Sequence, residues 1–135
     1  MNPSAAMERL NMILAHAWMV RTFLKHADEV QEDADMLDVP RTLFDSIRAT
    51  EPAAQRGDVK EYLRRLRGKL PKLRRVAEFF AAEHKRVSDH TNFSMASASL
   101  TAAVRRIEAI LAAVGTSSHG DRDDDLAADS GEEGG

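Results

Sequence analysis

A chain of 135 residues with a formal net charge of −3 suits one domain built around a single core. Its 5% aromatic content, set against frequent Ala, Leu, Arg and Glu, favours helix over sheet, and the absence of cysteine excludes disulfides and thiolate metal sites. No uncharged apolar run approaches the roughly 18 residues a membrane span requires, so a soluble, cytoplasmic protein is expected.

The first helix is expected from Ser4, an N-cap residue, to about Gln31. Leu10, Ile13, Leu14, Ala17, Val20, Leu24 and Ala27 form one apolar stripe. Met12, His16, Met19, Phe23, His26 and Val30 form a second line beside it, which predicts a helix buried over much of its circumference. His16 then reads as a core histidine, and Arg21 as the partner of an acid from the next helix. The acidic run EVQEDADMLD breaks this pattern. Asp38 can cap a short second helix with Pro40 in its first turn, ended near Thr50 by Pro52, and a loop follows through Gly57.

Asp58 and Glu61 open the third helix as a D-x-x-E capping box. Its core line is a sustained heptad: Val59, Leu63, Leu66, Leu70, Leu73, Ala77, Phe80, His84 and Val87. Pro71 predicts a kink there rather than a stop. Ser88 or Thr91 can cap the fourth helix, whose core line runs from Phe93 to Val114 before Gly115 ends it.

The architecture expected is all-α: an up-down-up-down antiparallel four-helix bundle over residues 1–115, with a short second helix. Residues 116–135 carry seven acids against Arg122 and read as a disordered acidic tail. The gap left by a short second helix would uncover apolar lines on its neighbours, which motivates a homodimer.

Several helical-bundle chemistries lack their motifs. No Glu-x-x-His pair of the ferritin-like kind occurs, nor the His-x-x-x-Glu and His-x-x-x-His elements of a hemerythrin-like iron site. Arg86-Val-Ser-Asp-His90 is one residue short of the Arg-x4–6-His motif of certain helical ribonucleases. No metal site or cofactor is expected. What the topology would gather at one end is His26, His84, Arg86, Asp89, His90 and Asn92. In an amide or phosphodiester hydrolase, His90 or His84 would serve as base, Asp89 as orienting carboxylate and Arg86 as anion clamp. Turn and cap chemistry explains the same residues without a site.

A second candidate is electrostatic. Residues 56–75 carry nine basic side chains against Asp58 and Glu61, among them Lys60, Arg64, Arg65, Arg67, Lys69, Lys72, Arg74 and Arg75. Nucleic-acid binding is one outcome. Pairing with the acidic segment 28–51, which carries eight acids against Arg41 and Arg48, is the simpler one. The leading functional expectation is a protein–protein interaction module with no assigned chemistry.

Overall fold

The computed structural model describes residues 1–115; the acidic tail lies outside the described residues. Five helices and no strand make up that part of the chain, so the all-α expectation holds. No helix in it is long and apolar enough to cross a membrane.

α1 spans Pro3–Lys25. Its N-cap is Asn2 rather than Ser4: the Asn2 side chain accepts from the Ser4 and Ala5 backbone N–H groups at 2.8 and 3.2 Å. Pro3 then occupies the first helical position, where its missing N–H is harmless. The helix stops six residues earlier than the apolar pattern suggests, because Ala27 is extended (φ −85°, ψ 123°) and redirects the chain into the single turn α2, Asp28–Gln31. Val30 is fully buried in that turn, so its place in the apolar line is kept while the helix itself is not.

α3 spans Ala34–Arg56 and is 23 residues long, not a short helix from Asp38 to Thr50. Asp33 caps it, accepting from the Met36 N–H at 2.9 Å. Both Pro40 and Pro52 lie inside it. Each removes a backbone hydrogen bond, yet the helix persists because Met36, Val39, Leu43, Ser46, Thr50 and Ala53 bury one continuous face. Proline read as a boundary here only because local chemistry was weighed without that burial. Gly57, left-handed at φ 71°, closes α3, and Asp58 opens α4, Val59–Val87. The Asp58 carboxylate accepts from the Glu61 N–H at 3.2 Å, half of the expected capping box. α4 continues through Pro71.

Six of the nine heptad positions on α4 are buried, and Val59, Leu70 and Val87 are half-buried against the same core. Tyr62, Leu66, Lys69, Leu73, Val76 and Phe80 form a second buried line beside it. α5 spans Thr91–Gly115 and buries Phe93, Ala96, Leu100, Val104, Ile107, Leu111 and Val114. Each of α1 and α4 packs on both α3 and α5, with a smaller contact between α1 and α4. Phe23 meets Phe93 edge-on at 5.2 Å, Trp18 meets Phe44 at 5.7 Å, and the buried Tyr62 hydroxyl donates to Asn11 at 2.8 Å. The length of α3 fills the gap that motivated the homodimer, so that motive is gone.

Candidate functional site

The polar residues around the α4–α5 junction lie close in sequence, but each has its own structural task. His26 is the exposed C-cap of α1. His84 is 7% exposed on the α4 core line, its ring 5.7 Å from Phe80 and its Nδ1 without a hydrogen-bond partner. Arg86 is held by two carboxylates, Asp33 at the start of α3 and Glu83 one turn back at 2.8 Å. The Asp33 hydrogen bond raises the Arg86 pKa, and the same contact, with the Met36 N–H, lowers that of Asp33.

Asp89 and Asn92 are exposed. The Asn92 backbone N–H donates to His90 Nδ1 at 3.0 Å, and the Phe93 N–H donates to the His90 carbonyl at 2.9 Å. His90, rather than Ser88 or Thr91, therefore caps α5, and accepting at Nδ1 places the ring proton of the neutral imidazole on Nε2. Ser88 supports it by accepting from the His90 N–H at 3.1 Å. Among the described residues no hydrogen bond joins His26, His84, Asp89 and His90 to one another, and no three His, Asp or Glu side chains form a group able to hold a metal ion.

The basic face of α4 carries its own counter-charges. Glu61 accepts from Arg64 Nε at 2.9 Å and from Arg65 Nε at 2.7 Å, and these contacts, Arg64 first, hold its carboxyl down at about 2. Arg74 pairs with Glu108 of α5. The expected pairing with acidic α3 is made by Arg86 and Asp33, outside the block 56–75. Lys69 is 9% exposed, whereas Lys60, Arg74 and Arg75 are exposed and Arg67 and Lys72 half-buried. Tyr62, the one aromatic residue in that block, is fully buried, and burial pushes its hydroxyl pKa up. It therefore offers no stacking surface to a base.

A third surface emerges where the sequence suggested core. The second line on α1 faces outward: Met12 is 67% and Met19 65% exposed, and His16 and His26 are exposed with them. Of that line only Val30 is buried, with Phe23 half-buried. Next to it, Arg21 pairs with no acid. Its guanidinium lies 4.4 Å from the Trp18 ring centroid and 5.0 Å from that of Phe44, a cation–π stack. Arg48 approaches Phe44 from α3 at 5.7 Å and pairs with Glu51 at 2.9 Å. A hollow of about 590 Å³ between α1 and α3 adjoins the stack, lined by Leu14, Ala15, Trp18, Met19, Ile47 and Ala54 among others. The sequence signal for this surface was the seven-residue interval between Met12 and Met19, together with Arg21 three residues after Trp18.

Comparison with known proteins finds no match to a protein family, a curated protein or a solved structure.

Proposed function

We propose that this chain is a small helical-bundle interaction module that forms a homodimer through the outer face of α1. In this reading the four long helices run up, down, up, down, α4 bends at Pro71, and the lack of cysteine suits a cytoplasmic setting. The observation that carries the proposal is the pair Met12 and Met19, each about two-thirds exposed and two turns apart on one face. Methionine adapts its shape to a partner, and Met, Trp and Arg are enriched where interfaces bury their centres.

The stripe is also complementary to itself. In an antiparallel pairing of two α1 helices about Ala15 and His16, Met12 of one copy meets Met19 of the other. The small, exposed Ala15 at the axis lets the backbones approach. Glu8 of one copy then falls opposite Phe23 of the other, within a turn of both Arg21 and Lys25, so charges of opposite sign flank the apolar centre.

Sedimentation velocity on the full chain tests this. The wild type should sediment as a dimer at high micromolar concentration, and Met12→Asp with Met19→Asp should yield a monomer of unchanged helix content. A wild type that stays monomeric throughout, or a dimer that survives both substitutions, overturns the proposal.

The other two readings draw less support. A His/Asp-dependent hydrolase at the α4–α5 junction would need side chains already committed to an ion pair and a helix cap. Nucleic-acid binding by residues 56–75 would lack an exposed aromatic ring, and Arg64, Arg65 and Arg74 already face Glu61 and Glu108.

A further inference from the structure

Away from α1, a cleft of about 440 Å³ opens between α3 and α4. Three features of its lining point to an anion. Ser46 is 1% exposed, yet its Oγ has no hydrogen-bond partner. A buried hydroxyl in that state is uncommon, since such groups are nearly always satisfied by protein, water or ligand. Lys69 lines the same cleft at 9% exposure, and an ammonium so far withdrawn from water calls for negative charge or acceptor oxygens close by. Arg65 and Lys72, both half-buried, stand one helical step to either side of it.

The acids in the lining decide the size of the ligand. Asp38 and Asp45 belong to the cleft too, but both are exposed. Charges at an exposed rim are screened by water and salt, whereas a buried cation acts through a lower dielectric. The depth of the cleft therefore favours one anion while the rim repels a second. That pattern selects against a polyanion such as RNA.

We propose that the α3–α4 cleft is a binding site for a small phosphomonoester, whose tetrahedral oxyanion sits at the bottom of the cleft. Ser46 Oγ and Lys69 Nζ donate to it there, and Arg65 and Lys72 flank it. Nothing in this assignment depends on the dimer, since the Met12–Met19 stripe belongs to α1 and the cleft to α3 and α4.

The test is thermal unfolding and calorimetric titration of the full chain with glycerol phosphate, inorganic phosphate and sulfate, each against sodium chloride at matched ionic strength. Glycerol phosphate should raise the melting temperature saturably, beyond the chloride control. Ser46→Ala, nearly isosteric, should weaken binding about fivefold, the value of one neutral hydrogen bond. Lys69→Met keeps the buried stem and should weaken it more, on the order of tenfold or beyond, because a charge-assisted bond is lost. Asp45→Asn should tighten binding by relieving rim repulsion. Sulfate binding as well as glycerol phosphate would mean that the site reads the oxyanion alone, and weaker sulfate binding that it reads the phosphomonoester; both support the assignment. A shift no larger than with chloride, or binding indifferent to both Ser46→Ala and Lys69→Met, overturns it. A single-stranded RNA oligonucleotide that binds more tightly than glycerol phosphate also overturns it, in favour of the polyanion reading.

Discussion

Glu61 holds two guanidinium groups, and its titration makes that contact measurable. Its carboxyl ordinarily titrates near 4.5 and does so here at about 2, chiefly because Arg64 and then Arg65 hydrogen-bond to the charged form. A carboxylate with a depressed folded-state pKa contributes stability that is fully present above its unfolded value. That contribution is lost as the pH falls from 4.5 through about 2. The full displacement corresponds to about 3 kcal/mol. Partial hydration of all three side chains reduces the expected cost of Glu61→Gln to about 1 kcal/mol at neutral pH. Urea melts of both proteins at neutral pH and near pH 3 would check this: the gap between them should narrow in acid, and a constant gap would assign the effect to packing instead. Tyr62 offers a second measurement at this scale. Tyr62→Phe removes the donor to Asn11 at 2.8 Å and should cost about 1 kcal/mol in the same melts, with helix content unchanged. His90 illustrates what residue types alone leave open. An imidazole beside Asp89 and Asn92 fits both a general base and a helix cap, and only the 3.0 Å bond from the Asn92 N–H distinguishes them.

At the scale of the element, apolar spacing located the helices better than it located their ends. The heptad of α4 was legible because alternating steps of three and four residues report burial directly, and burial is what holds the helix. The ends depended on competition between local chemistry and packing. Pro40 and Pro52 carry strong local signals for termination, but the buried face of α3 outweighs them. The same competition predicts the effect of removing one. Pro52 is exposed near the end of α3, so Pro52→Ala restores a backbone N–H to the helix without opening a core cavity. Relief of an interior helical proline is worth up to about 3 kcal/mol. The more flexible unfolded chain takes back about 1 kcal/mol of that. Calorimetry should therefore find the variant stabilised by about 1–2 kcal/mol, with a higher melting temperature. A lower melting temperature would mean that Pro52 fixes the approach of the chain to Gly57.

For the whole molecule, the all-α class followed from composition and period, whereas the side of α1 that faces the core did not. Two adjacent apolar lines on one helix are compatible with burial of both, and only the positions of α3 and α5 expose Met12 and Met19. The proposed dimer face and the proposed anion cleft then meet at a single side chain. Arg48 lines the α3–α4 cleft and also stands 5.7 Å over Phe44, whose ring is shared with Arg21 beside Trp18. An oxyanion that draws Arg48 into the cleft would loosen its contact with Phe44, at an exposed site where such a contact is worth about 0.5–1 kcal/mol. Coupling through one contact of that size limits the effect of glycerol phosphate on the dimer constant to about fivefold. Because linkage is reciprocal, dimerisation must change the affinity for glycerol phosphate by the same factor. Trp18 is the only tryptophan in the chain, so its emission reports both events without a label. Dimer dissociation followed by this emission with and without saturating glycerol phosphate should differ by no more than that factor. Arg48→Gln should abolish whatever difference is seen. A difference well beyond tenfold, or one that survives Arg48→Gln, would mean that α3 moves as a body between two arrangements rather than passing the signal through one arginine.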